Sequence, residues 1–256
     1  MINVMRQPRL NTGSFLFRSC AVLLFCCALH AQENCNVEVK LLLSPAETLP
    51  TIAAFNAKKE TAGRVYFFDT DALDLLSQGA IVRLRRGARS DLTVKLRPAN
   101  GKKSFAISEG SEGFKCEVDL TGEGSIVSYS ILRGFAPERP FETGNDVSRL
   151  LSPAQKKLLE EAQVSVDWSR VKRIVEIAST SWQARTQPYP GKLTLELWEW
   201  PGGKALEIST KVSPDAGLST YTELQQLVKS KQLSISPVQR AKTSIALEAI
   251  THTTVH

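Results

Sequence analysis

The sequence predicts an α+β protein built mainly from antiparallel strands, about eight of them, with a few peripheral helices. Three observations carry this. Charged and apolar residues alternate strictly in Asn36-Val37-Glu38-Val39-Lys40, Val82-Arg83-Leu84-Arg85, Leu92-Thr93-Val94-Lys95-Leu96-Arg97 and Lys115-Cys116-Glu117-Val118-Asp119-Leu120, with an echo in Leu206 to Val212. A period of two places the charges on one face of each strand. Turn signals separate such segments, at Gly87 to Ser90, Asn100-Gly101 and Pro201-Gly202-Gly203. Two Ser-Pro pairs, Ser44-Pro45 and Ser152-Pro153, supply a cap and a proline at the first position of a helix.

An open antiparallel sheet turns its polar face to solvent. Here the polar positions are mostly formal charges of both signs, where Thr, Ser or Gln would serve a wet surface equally well. The apolar faces are also spread over most of the chain. Both features make a sheet closed into a barrel, with its charges inside, the serious alternative.

In chain order, a first strand is expected over about 36–43, followed by a helix from Pro45 to about residue 58 and an aromatic-rich strand from Arg64 to Asp69. A short turn or helix over Ala72 to Gln78 ends at Gly79. Strands at about 80–86 and 91–97 form a hairpin, and another strand covers 114–120. Residues 121–147 carry several glycines and prolines and read as loop with one helical turn. A helix runs from Ser152-Pro153 to about Ala162, with Leu158 and Leu159 on its buried side. Strands return at about 171–183, 192–200 and 204–212, and a final helix over 219–230 precedes a segment from Lys242 to Ala249. No internal repeat, low-complexity tract or linker divides the chain.

The first residues differ in kind. Arg6, Arg9 and Arg18 precede the apolar run from Cys20 to Leu29, and no acid appears before Glu33. This is the layout of a secretory signal peptide, too short for a comfortable membrane span. Residues 1–31 are therefore expected to be removed, after Ala28 or Ala31, leaving 32–256 as one exported domain, periplasmic or secreted, with no stable membrane insertion. Removing that segment takes away three arginines and no acids, so the net charge falls from +6 to +3. A mildly basic domain offers no global argument for nucleic acid, which calls for a dense basic stripe.

Cys35 and Cys116 are the two cysteines outside the leader, and both share the parity of the apolar faces. They can form one disulfide if their strands are neighbours, or remain two buried thiols. The three histidines are His30, His252 and His256, so none lies in the body of the domain. That argues against serine-histidine catalysis and histidine-rich zinc sites. No phosphate loop and no nucleophile elbow occurs either. Chemistry must rest on carboxylates, lysines and arginines.

A cavity lined by Glu38, Lys40, Arg83, Arg85, Lys95, Lys115, Glu117 and Glu207 holds more cations than acids and suits a polyanion. Arginine's planar fork fits phosphate. Carboxylates beside such an anion favour a hard divalent cation between them, Mg or Mn.

These residues resemble those of the CYTH superfamily, the triphosphate tunnel metalloenzymes that include inorganic and thiamine triphosphatases and class IV adenylate cyclases. The family's Glu-x-Glu-x-Lys strand looks like Asn36 to Lys40, and its Tyr-Phe-Asp-Thr strand end like Phe67-Phe68-Asp69-Thr70, followed by Leu73, Leu75 and Gly79. Its Arg-x-Arg strand is similar to Arg83-Leu84-Arg85, its Thr-x-Lys strand to Thr93-Val94-Lys95, and its next acidic strand to Lys115 to Asp119. Its late acidic strand resembles Glu207-Ile208-Ser209, and its basic-serine segment Lys242-Thr243-Ser244. The series covers about residues 36–250.

The resemblance implies an eight-stranded antiparallel closed tunnel with charged faces inward. It implies phosphate contacts from Lys40, Arg83, Arg85, Lys95, Lys115 and Lys211, with Arg173 at the later basic position, for which Lys172 and Arg185 compete. Glu38, Glu117 and Glu207 are the implied catalytic carboxylates and, with Asp119, the implied ligands of Mg or Mn. The implied activity is metal-dependent hydrolysis of a phosphoanhydride. Asn36 and Ser209 stand where two further glutamates are expected, which removes two negative charges from the metal site. The alternative is a non-catalytic module that binds a polyphosphate or another polyanion. An outer-membrane barrel shares the alternation, but its strands run longer and its helices are few.

Overall fold

The computed structural model describes residues 35–87, 90–98, 110–136, 147–185 and 191–253, with the side chains of 59, 60 and 250–253 set aside. The expected leader over 1–31 and the Asn100-Gly101 turn lie outside these residues. Among them are nine strands, not eight: β1 (Asn36–Leu43), β2 (Lys58–Asp69), β3 (Ala80–Gly87), β4 (Ser90–Leu96), β5 (Phe114–Thr121), β6 (Gly124–Phe135), β7 (Lys172–Ala184), β8 (Leu193–Trp200) and β9 (Gly203–Val212). They close a barrel in the order β1-β5-β6-β4-β3-β2-β7-β8-β9.

The additional strand is β6, in the stretch expected to be loop. Its inward positions carry Ser128 and Ser130 rather than charges, and Gly122, Gly124 and Gly134 bracket it, so its composition resembles a turn region. Pairing decides the matter, because β6 runs antiparallel to both β5 and β4 and satisfies both edges. The barrel is also not wholly antiparallel. β1 lies parallel to β5, with Asn36 opposite Glu117 and Val39 opposite Leu120. Closing a ring of nine strands requires this: an odd number cannot alternate in direction all the way round.

Two helical expectations shift. The helix expected from Pro45 to about 58 is a 3-10 turn, Pro45–Glu47, continuing into α1 (Thr48–Ala54), and β2 begins at Lys58, six residues before the aromatic segment. The segment after residue 241 is a helix. The other helices are α2 (Asp74–Ser77), α3 (Pro153–Glu161), α4 (Gly217–Ser230) and α5 (Lys242–Thr253). None of the described helices is long and apolar enough to cross a membrane.

Most of the core lies outside the barrel, between strands and helices. Val37, Val39 and Leu41 of β1 pack with Leu224 and Val228 of α4. Val82, Leu84, Leu92, Val94 and Ile131 pack with Leu158 and Leu159 of α3. That helix opens on a capping box between Ser152 and Gln155, and Gln155 Nε2 also donates to the carbonyls of Leu92 (2.8 Å) and Ile131 (3.0 Å), tying α3 to β4 and β6. Gly79 turns α2 into β3 at φ +74°, and a Cβ there would come within 2.4 Å of the Arg97 carbonyl oxygen, so glycine is required.

Cys35 and Cys116 form a disulfide, with Cα atoms 4.8 Å apart. The alternative of two separate thiols is thereby settled: β1 and β5 are neighbours, and both cysteines lie on the side of the wall away from the tunnel.

Candidate functional site

The strand alternation decides what faces inward. The even residues Glu38 and Lys40 of β1 and the odd residues Arg83 and Arg85 of β3, Lys95 and Arg97 of β4, Glu117 of β5 and Glu207, Ser209 and Lys211 of β9 share the inner wall of one cavity of about 560 Å³. Among the described residues, eleven lysines and arginines line it against four glutamates. Asp91 and Asp119, both buried, add two acids behind that lining.

Asp119 is the hub of the inner wall. Its Oδ1 accepts from Lys40 Nζ at 2.7 Å, and its Oδ2 accepts from Lys95 Nζ at 2.9 Å and Arg97 at 3.2 Å. Burial opposes its charge, but these three cations hold its pKa far below the ordinary carboxylate range. Burial also opposes the charge on Lys40, which Asp119, Glu38 and Glu207 outweigh, so that its pKa is raised. Lys95 goes the other way. Burial, with Lys40 and Arg97 nearby, lowers it to about 8 despite Asp119.

The other acids are engaged as well. Glu38 lies 3.1 Å from Lys40 Nζ and accepts a long contact of 3.5 Å from the hydroxyl of Ser209. Glu117 pairs with Lys211, which keeps its pKa low against the effect of burial. Asp91 receives Arg85 through both Nε (2.9 Å) and Nη2 (2.6 Å). Glu196 and Glu207 share Lys242, the first residue of α5. Burial opposes the Glu196 charge, yet Lys242, Trp198 and Ser179 bring its pKa down to about 2.

Arg83, like Arg97, has a buried Nε that no hydrogen bond satisfies among the described residues, and burial together with Arg85 lowers the pKa of Arg83 to about 10. A buried donor with no acceptor is costly, and Arg83 also lines the cavity. Lys115 is exposed at the rim of the same cavity.

The polar part of the tunnel gives way to an apolar part. Val65 and Phe67 of β2, Ile81 of β3, Val175 and Ile177 of β7 and Trp198 of β8 are buried together with Ala246 and Leu247 of α5. The C-terminal helix therefore packs onto the inner apolar side chains.

Of the residues singled out in the sequence, Glu38, Lys40, Arg83, Arg85, Lys95, Lys115, Glu117, Glu207 and Lys211 line one cavity, with Asp119 directly behind. Arg173 does not join them. It stacks over Tyr66 at 5.5 Å and pairs with Glu176 on the outer surface. A β-bulge is the cause: the register between β2 and β7 slips between Phe67 and Phe68, so Val175 and Arg173 pair with successive residues of β2 and face opposite sides of the wall. Lys172 pairs with Asp71 at 2.9 Å, and Arg185 is exposed and outside the cavity lining. Asn36 is exposed at the start of β1.

Arg97, Glu196, Lys192 and Lys242 were not singled out as site residues, yet they line the cavity. Arg97 continues the parity of Thr93 and Lys95, and Glu196 that of Thr194 and Trp198, so alternation alone could have found both. Lys242 heads the segment that resembles the family's basic-serine motif, and a helix returning from the far end of the chain delivers it to the cavity.

The residues do not fit a resident divalent metal in this arrangement. Among the described residues, no three His, Cys, Asp or Glu side chains are grouped to hold one. Each implied carboxylate ligand already accepts from a lysine: Glu38 and Asp119 from Lys40, Glu117 from Lys211 and Glu207 from Lys242.

No protein-family model and no curated protein matches the sequence. Solved structures do. That of a proposed adenylyl cyclase from Hippeastrum, with a dominant triphosphatase activity, has a TM-score of 0.60 at 20% identity and covers 83% of this chain and 95% of that one. That of a proposed adenylate cyclase from Bacillus halodurans has a TM-score of 0.56 at 16% identity, covering 82% and 96%. Together with the closed barrel and its inward charges, these likenesses show that the chain has the tunnel fold of the CYTH superfamily.

Proposed function

We propose that this protein is exported and binds a polyphosphate-type anion in its tunnel. The observation that carries the reading is the charge of the cavity wall, where eleven lysines and arginines, Arg83 among them, stand against four glutamates among the described residues. A phosphate chain supplies what the wall lacks, namely several acceptor oxygens and negative charge. Lys40 and Lys95 converge with Arg83 on the same space, and Lys115 and Lys211 stand nearer the rim. The apolar packing of α5 against the inner wall favours a small guest over a threaded nucleic-acid strand. Export rests on the charge and hydropathy layout of residues 1–31, and the Cys35–Cys116 disulfide is in keeping with an oxidising compartment.

Binding is better supported than hydrolysis, because the carboxylates are committed to lysines. Titration calorimetry with tripolyphosphate in EDTA tests the reading: saturable binding is expected, weakening as salt is added. Arg83→Met should reduce affinity by about ten- to a hundredfold, the range of a charged hydrogen bond of about 1.5–3 kcal/mol. The same change removes an uncompensated buried charge, so the melting temperature should hold or rise. No saturable binding at low ionic strength would overturn the proposal. Phosphate release with Mg or Mn, lost in Glu38→Gln, would replace it with the triphosphatase reading.

A further inference from the structure

Glu196 and Glu207 are direct cross-strand partners on β8 and β9. Like charges so placed repel, and burial strengthens the repulsion. Such a pair needs a cation between its members. In a tunnel of hard oxygen donors the usual candidate is a divalent metal.

The chain supplies its own cation. Lys242 Nζ donates to Glu207 Oε1 at 2.9 Å and to Glu196 Oε2, and it lies 4.7 Å from the ring centroid of Trp198. An ammonium has three donors. Two carboxylates and a π face satisfy it in a way they could not satisfy a six-coordinate metal. The remaining acceptor capacity of Glu196 is also in use, since its Oε1 accepts from Ser179 Oγ (2.9 Å) and Trp198 Nε1 (2.8 Å).

The placement of Lys242 is not explained by helix stability. It is the first residue of α5, where the helix dipole disfavours a cation. Its value lies in the pair it joins. The acids gain a counter-ion, and α5 gains a polar anchor beside the apolar contacts of Ala246 and Leu247.

We propose that Lys242 is a tethered substitute for a divalent cation at the Glu196–Glu207 pair, so that this part of the tunnel is metal-free and α5 is locked to the barrel by the same contact. The inference stands on this geometry and holds whichever anion the tunnel takes.

The test is Mn²⁺ binding to the full chain, followed by calorimetry with no anion present. Wild type should show no saturable binding at this pair. Lys242→Met, which keeps the length of the side chain and removes its charge, should acquire saturable Mn²⁺ binding, and adding Glu207→Gln should abolish it. Lys242→Arg should remain without Mn²⁺. The proposal fails if folded Lys242→Met acquires no Mn²⁺ binding. It fails equally if wild type binds Mn²⁺ saturably and Glu196→Gln or Glu207→Gln removes that binding. Melting curves establish whether Lys242→Met is folded, and if it is not, the wild-type titration decides alone: absence of saturable binding supports the proposal and carboxylate-dependent binding sinks it. Tripolyphosphate takes no part, so a failure here is distinct from a failure of the anion-binding reading.

Discussion

Asp119 shows how one residue organises the inner wall. Its carboxylate is wholly buried and neutralises Lys40, Lys95 and Arg97 at once. Asp119→Asn should leave three cations without their shared partner and destabilise the fold by about 3–5 kcal/mol, the range for breaking a buried ion pair from one side, measured by urea denaturation near neutral pH. Tripolyphosphate should raise the melting temperature of this variant more than that of wild type, since it restores negative charge. The folded pKa of Asp119 is depressed, so its contribution is complete above the ordinary aspartate range and is lost as pH falls through the folded value. The stability gap between wild type and Asp119→Asn should therefore narrow in strong acid. An unchanged urea midpoint in the variant would refute the hub role.

At the scale of elements, the parallel pair of β1 and β5 is a junction between segments far apart in the chain. Pairing residues near 36 with residues near 117 closes a long loop, and the Cys35–Cys116 disulfide spans a separation of 81 residues beside it. Cross-linking a loop of that length removes entropy from the unfolded chain worth about 4 kcal/mol. Replacing both cysteines with serine should lower stability by roughly this amount, and reducing wild type should reproduce the loss. Equal urea midpoints with and without reductant would contradict it. The strand pattern of β1, β3, β4 and β5 was legible because formal charges mark every second residue. β6 escaped because its inner positions are serines, and Arg173, implied by the resemblance alone, lies outside the cavity lining beside a bulge that no residue pattern announces.

At the scale of the whole molecule, the proposed export makes a prediction about the N-terminus. Mass spectrometry of the protein recovered outside the cytoplasm should give an N-terminus after Ala28 or Ala31, and a full-length chain retained in the cytoplasm would sink the export reading.

Which side chains face inward is legible in the residue pattern wherever the strands are regular, since alternation is a local property of extended backbone. That was enough to expect a charged interior with cations in excess. The tertiary structure alone decided how those charges are spent. Asp119 serves three cations from three strands, Arg83 is left without an acceptor for its Nε, and Lys242 arrives from the last helix to join two opposed glutamates. Each depends on residues far apart in the chain meeting across a closed barrel, and no local pattern encodes such a meeting.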